Sequence, residues 1–301
     1  MDGHDRCDVR GRRQPLAFQE ATLTALGPIQ FGHGPDADDA FVFEPLIHGR
    51  VDTEGLEFVH RQLPFADLNR NAGGAHPPHV SMLSAATLAR LTDRFHVLPF
   101  GGSFVRTMGP TLVALRGAAL PKFARALVAV PGRGTTAELL LRLALPDVRL
   151  VSVPYEEVAS VVARGDVEAG VVIHEEQLGF ERLGLIRITD LGLRWKQRHE
   201  MPTPLAVCAI RADLSPVLRD RIVRVLERSL AACRAQPELP MQFARGFTGA
   251  QDADLADVLV EEYVSDETYA LSAAGRRAIE LLVGQAQRLF VPPVPTFAGA
   301  A

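Results

Sequence analysis

Short runs of Val, Leu, Ala and Ile recur along this chain, each closed by a glycine- or proline-marked polar turn and then by a helical pattern. Ala126-Leu127-Val128-Ala129-Val130 runs into Pro131-Gly132-Arg133-Gly134-Thr135-Thr136 and a helix over 137–143. Leu150-Val151-Ser152-Val153 leads to an amphipathic stretch over 155–163, and Val171-Val172-Ile173 leads to His174-Glu175-Glu176-Gln177. Runs that stay apolar at every position suit strands covered on both faces, and such strands alternating with helices build parallel α/β sheets. An aromatic content of 6%, with Leu, Val and Ala dominant, suits α/β layers better than an all-β sandwich.

The same pattern extends in both directions. Ile29-Gln30-Phe31-Gly32 reads as a first strand, followed by His33-Gly34-Pro35-Asp36-Ala37-Asp38-Asp39 and a helix opening at about Ala40. Asp36 and Asp38 are candidate N-caps there, since carboxylates complement the positive end of a helix. Strands are expected over 56–62, 111–115 and 185–189, and short helices over 65–71 and 84–92. After a turn at Pro202-Thr203-Pro204 the character changes to long helices. Ser215-Pro216 is a capping hydroxyl with proline at the first helical position, and Leu218, Ile222, Val225, Leu226 and Leu230 then share one face. Further helices are expected over 253–264 and 273–289, and the tail Val291-Pro292-Pro293-Val294-Pro295 cannot be helical.

The βα units on either side of about residue 113 resemble each other. They predict two α/β lobes, one from 27–112 plus 207–301 and the other from 113–206, with a ligand cleft between them. Residues 1–26 carry Arg6, Arg10, Arg12 and Arg13 but no apolar segment. They read as a disordered extension rather than a secretory signal.

The chain's 301 residues are ample for such a core, and a net charge of −4 gives no electrostatic reason to expect nucleic acid or an anionic membrane as partner. No apolar run approaches the roughly 20 residues of a membrane span. Cys7, Cys208 and Cys233 are far apart and odd in number, which argues against a disulfide framework or zinc site and fits a cytoplasmic protein.

The candidate site follows from strand ends, because open α/β sheets bind ligands outside the carboxyl ends of their strands. His174 stands at such an end, and imidazole is the side chain best matched to proton transfer near neutral pH. On the residues alone a structural hydrogen-bonding role stays open, with Glu175 and Glu176 capping the next helix. Gly132-Arg133-Gly134-Thr135-Thr136-Ala137 fits GxGxxA, but the following strand ends Val153-Pro154-Tyr155 with no acidic residue for a ribose, so a dinucleotide is not expected. Free N–H groups at that helix start, with two threonine hydroxyls, would instead seat a carboxylate. Asp36, Asp38 and Asp39 lack the spacing of a calcium loop. Pro77-Pro78 separates His76 from His79 and denies them helical alignment. No serine hydrolase triad is visible.

Four segments in order carry a resemblance that spans most of the chain from Ile29 to about Leu289. They are Phe31–Phe41, His48-Gly49-Arg50-Val51-Asp52-Thr53-Glu54-Gly55-Leu56, Val130–Ala137 and Ile173-His174-Glu175-Glu176-Gln177. Together they resemble the 1,4-dihydroxy-6-naphthoate synthase family of the futalosine route to menaquinone. The resemblance implies a two-lobed periplasmic-binding-protein-like (type II) fold and a lyase acting on cyclic dehypoxanthine futalosine, a small carboxylate. It implies that His174 is the catalytic base and that Asp39, Asn69, Ser84, Thr135, Thr136 and Ala137 line the substrate cleft, with neither cofactor nor metal required. A homodimer is compatible with it. The sequence departs from the family at Gly34, Ala37, Ala206 and Val207, and through Ala75-His76-Pro77-Pro78-His79-Val80-Ser81, a segment expected to shape one cleft wall. Two alternatives remain: chorismate dehydratase of the same pathway, and a non-catalytic small-carboxylate-binding protein of the same fold.

Overall fold

The computed structural model describes residues 27–117, 125–248 and 253–290. The extension expected over 1–26 and the tail over 291–295 lie outside the described residues.

The chain opens with β1 (Ile29–His33), α1 (Ala37–Ile47), β2 (Phe58–Gln62), α2 (Phe65–Gly73), β3 (Val80–Ser84) and the short strands β4 (Phe95–Val97) and β5 (Ser103–Val105). It crosses once to β6 (Thr111–Leu115), β7 (Leu127–Val130), α3 (Thr136–Ala144), β8 (Arg149–Ser152), α4 (Val158–Ala163), β9 (Ala169–Val172), the one-turn α5 (Glu176–Gly179) and β10 (Leu185–Asp190). Helix α6 (Leu191–His199) leads back to the long strand β11 (Thr203–Arg211), followed by α7 (Pro216–Ala235), α8 (Glu238–Ala244), α9 (Ala253–Tyr263), α10 (Asp266–Tyr269) and α11 (Ala273–Phe290).

Two sheets result. The first has the order β2-β1-β3-β11-β4, with β5 also paired to β11; the second has the order β10-β6-β9-β7-β8. β1 runs parallel to β2 and β3, and β7 parallel to β8 and β9, while β11 and β6 join their sheets antiparallel. The parallel strands are the ones flanked by helices on the way out, as right-handed βαβ units demand. Their side chains are buried at nearly every position in β3, β7 and β9.

Packing explains the helices. The face of α7 read from the sequence is buried, with Ile222, Val225 and Leu226 fully so, against Phe41, Phe43 and Met82 of the first sheet's core. Ser215 caps α7, accepting the Leu218 N–H, with Pro216 at the first helical position. The second sheet has its own core of Val113, Ala129, Val162, Val172 and Phe180.

Two segments join the sheets, 106–110 outward and 191–202 returning. They touch: a Cβ on Gly109 would stand 2.7 Å from Gly192 Cα, so only glycine fits. The outward crossing is held by Glu262 of α9, whose Oε1 accepts the N–H groups of Arg106 (2.9 Å), Thr107 (2.5 Å) and Met108 (2.8 Å). Its Oε2 accepts the Thr107 hydroxyl (2.5 Å).

Several expectations are corrected. Helix α1 opens at Ala37 rather than Ala40, because Asp36 is its cap and accepts the Asp39 N–H (3.1 Å). The helix expected over 84–92 is a 3₁₀ turn, Ala85–Arg90, after a strand that ends at Ser84. Pro202-Thr203-Pro204 is not a turn into helices but the start of β11. Pro204 lies where the pairing with β5 shifts register, one of the few places in a sheet that tolerates a missing N–H.

Candidate functional site

Every parallel strand delivers its C-terminal loop to one crevice between the lobes. Pro35, Asp36 and Asp38 follow β1, Pro64 and Phe65 follow β2, and Ser84 ends β3. From the other side come Pro131 and Thr135–Ala137 after β7, Tyr155 after β8, and Ile173 and His174 after β9. Ser103, Pro110, Leu205, Ala206, Gln177 and Tyr263 complete the crevice. Among the described residues lining it there is no Lys or Arg.

His174 is presented by unusual backbone. Its φ of 49° is left-handed, a conformation that costs a residue with a Cβ about 1–3 kcal/mol unless its surroundings hold it. Here they do. The amide orientation of Gln177 that satisfies all its neighbours places its oxygen to accept the His174 N–H (3.1 Å) and the Tyr263 hydroxyl (2.5 Å), while its NH₂ donates to Gly109 O. One buried amide thereby joins the histidine to the crossing segment and to α9. The ring stacks against Phe65 across the crevice (6.3 Å between centroids, 23° between planes) and meets Tyr155 edge-on (5.4 Å). Nε2 stands 3.9 Å from Asp36 Oδ2, and the side chain is 17% exposed, so it faces the shared space rather than a packed core.

The helix start opposite is engaged differently from the simplest reading. Thr135 Oγ1 donates to Gly132 O (2.8 Å) and accepts the Glu138 N–H (3.2 Å). Thr136 Oγ1 donates to Leu205 O (2.7 Å) and accepts the Ala86 N–H (3.2 Å), so it bridges the lobes. Both hydroxyls have partners, and what the helix offers a carboxylate is its first backbone amides at Thr136 and Ala137, which precede any carbonyl the helix can give them. Glu138 steadies the loop before them. Its carboxylate accepts the Gly134 N–H (2.7 Å) and pairs with Arg133 (3.0 Å) and Arg142 (2.9 Å).

Of the residues singled out in the sequence, His174, Ser84, Thr135, Thr136 and Ala137 line this crevice together. Asn69 does not reach it. Its amide holds Ser84 in place, accepting the Ser84 N–H (3.0 Å) and donating to Ser84 Oγ (2.9 Å). Asp39 does not reach it either. Its carboxylate turns back to accept the Gly34 N–H (2.6 Å), beneath the loop. The segment 75–81 forms no wall of the crevice, because it leads into the first two residues of β3 and so lies at the far end of a strand whose last residue, Ser84, is at the site. His79 instead accepts the Gln30 N–H through Nδ1 (2.9 Å).

Asp36, Asp38, Tyr155, Gln177 and Tyr263 were not among the expected lining residues. Tyr155 carries the same signal as His174, a position just past a parallel strand. Tyr263 comes from a helix 89 residues beyond His174 and has no local signal. Burial beside carboxylates holds both phenols well above their ordinary range. Asp38 and Asp39 are also pushed up strongly, by burial first and then by the neighbouring Asp36.

Two sheets with a ligand crevice at their facing strand ends define the periplasmic-binding-protein-like class. The fold of the ligand-binding component of a Staphylococcus aureus ABC-type import system matches with a TM-score of 0.63 at 13% identity, covering 89% of this chain and 94% of that one. The Escherichia coli aliphatic sulphonate binding protein matches with a TM-score of 0.56 at 12% identity over 92% and 96%. A much nearer structure is a protein from Archaeoglobus fulgidus, 34% identical, with a TM-score of 0.80 over 87% of this chain and 97% of that one. The chain belongs to the menaquinone biosynthesis family, whose pattern it matches over residues 29–288. Relatives in that family include the 1,4-dihydroxy-6-naphthoate synthase of Thermus thermophilus, 35% identical over 260 residues, covering 86% of this chain and 94% of the relative. The synthase of Streptomyces coelicolor is 32% identical, over 86% and 92%.

Proposed function

We propose that this protein is a lyase that converts cyclic dehypoxanthine futalosine to 1,4-dihydroxy-6-naphthoate, with His174 as the general base. The observation that carries the reading is the histidine itself. It is held in left-handed backbone at the end of β9 and aimed into a crevice, in a chain about one-third identical to enzymes named for that product.

The crevice suits such a ligand. Phe65, Tyr155, Ile173, Leu205 and Tyr263 offer apolar and aromatic walls to a bicyclic ring, and the α3 amides offer an anchor to its carboxylate. Ser84 and Ser103 stand near to hydrogen-bond hydroxyls of the sugar-derived part. His174 removes a proton from that part, elimination follows, and aromatisation supplies much of the driving force. A positioned base contributes about 10²–10⁴-fold, and orientation within a closed crevice adds to it. The same proposal places the enzyme in the cytoplasm, a point that cell fractionation decides.

Purified protein is supplied with the cyclic substrate, and separately with chorismate, and each mixture is analysed for products. Formation of the naphthoate from the first alone is the expected result. Turnover of chorismate instead, or tight binding with no turnover of either, sinks the proposal.

A further inference from the structure

Asp36 and Asp38 are both more than nine-tenths buried and both line the crevice, where no Lys or Arg stands among the described lining residues. Two carboxyls this close in a buried site repel each other when both are ionised, which favours one of them keeping its proton. Asp38 lines the crevice, and its buried Oδ1 has no hydrogen-bond partner among the described residues. The nearest ligating atoms of Asp36, Asp38 and His174 all lie within 4.8 Å of one another.

We propose that Asp36 and Asp38 share a single proton and act together as the proton donor of the crevice, opposite His174. This rests on the lyase reading above and completes its proton balance. His174 Nε2 takes a proton from the sugar-derived part, and the electron pair of that bond forms a new double bond. The bond to the nascent ring breaks, and its electron pair is carried onto a ring oxygen. That oxygen takes the proton held by the pair and becomes a hydroxyl. The site is left with an imidazolium and two carboxylates, and Asp36 Oδ2, 3.9 Å from Nε2, receives the proton back. No oxidant or further reactant enters.

The charges around the pair favour a retained proton. Asp39 faces it from α1, His33 from β1, Tyr263 from α9, and Tyr155 and His174 from the second lobe; Glu262 and Asp190 lie beyond Tyr263. Burial and the adjacent carboxylates raise Asp38 well above the usual range, in keeping with this arrangement.

The test combines infrared spectroscopy and kinetics on wild type and Asp38→Asn, which keeps the shape but cannot transfer a proton. Wild type at pH 7 is expected to show the C=O stretch of a protonated carboxyl that Asp38→Asn lacks. The variant is expected to lose about 10²-fold in kcat, with KM changed by less than about threefold. It is also expected to lose the alkaline fall of kcat. Asp39, present in both proteins, cancels in a wild-type-minus-Asp38→Asn difference spectrum, and such a spectrum without a protonated-carboxyl band overturns the proposal. So does stoichiometric Zn²⁺ uptake that vanishes in the variant, which would make the carboxylates ionised metal ligands. Failure of the lyase reading shows separately, as wild type inert on the cyclic substrate, and the infrared band still decides whether the pair holds a proton.

Discussion

Replacing Glu262 with alanine tests how the two lobes are held together. The carboxylate is 6% exposed and is the acceptor for three consecutive backbone N–H groups and one hydroxyl in the segment 106–108. Glu262→Ala strands all of them. An N–H left without a partner costs about 1–3 kcal/mol when buried. Arg106 and Thr107 are exposed, so water recovers part of the loss and the lower end applies. Three such groups give roughly 3 kcal/mol, which for a chain of this size lowers Tm by about 6–12 °C. Glu262→Gln keeps one carbonyl acceptor and exchanges charge-assisted bonds for neutral ones, so it should cost about half as much. Thermal unfolding followed by circular dichroism measures both, and hydrogen exchange at residues 106–108 reports the local effect. An alanine variant within about 1 kcal/mol of wild type, or unchanged exchange at those amides, would refute the reasoning.

Gly132 has a φ of 141°, and a Cβ there would stand 2.6 Å from Ala66 Cβ of the opposite lobe. Gly132→Ala should hold the lobes apart at a cost of about 1–3 kcal/mol, weakening naphthoate binding by calorimetry at least about fivefold, and unchanged affinity would contradict this. The His33 and His60 rings touch (Nε2 to Nδ1, 3.2 Å), and burial together with the neighbouring imidazole holds His60 at about 4. The unfolded chain therefore takes up a proton near pH 6.5 that the native state refuses, and stability falls as pH drops from 7 through 6.5 towards 4. The full difference is about 3 kcal/mol, and solvent screening at this partly exposed ring reduces it to roughly 1–2 kcal/mol. Urea unfolding at pH 7 and pH 5 should show that loss, and a His60→Gln variant should show less of it. Stability that is flat or rising towards pH 5 would rule the idea out.

The second lobe was legible because its strands are buried on both faces and so are apolar at every position, as in 127–130 and 169–172. The strand at 203–211 was hidden by Pro202 and Pro204, which mark turns everywhere except at sheet irregularities. The aspartates illustrate a subtler limit. Successive helical residues turn by about 100°, so which of Asp38 and Asp39 meets the ligand depends on where α1 begins. The family resemblance pointed to Asp39, whereas the cap at Asp36 sends Asp38 to the crevice and Asp39 under the loop. Tyr263 and Pro110 reach the site only through the lobe crossings and the C-terminal helices. No local pattern can announce a contact that depends on how two sheets are placed.

The most direct measurement is the single-turnover rate of naphthoate formation by His174→Ala beside wild type, with unfolding curves confirming that both are folded. Wild type should form product, and the variant should be slower by about 10²–10⁴-fold. A folded variant that keeps a rate within about fivefold of wild type would contradict it.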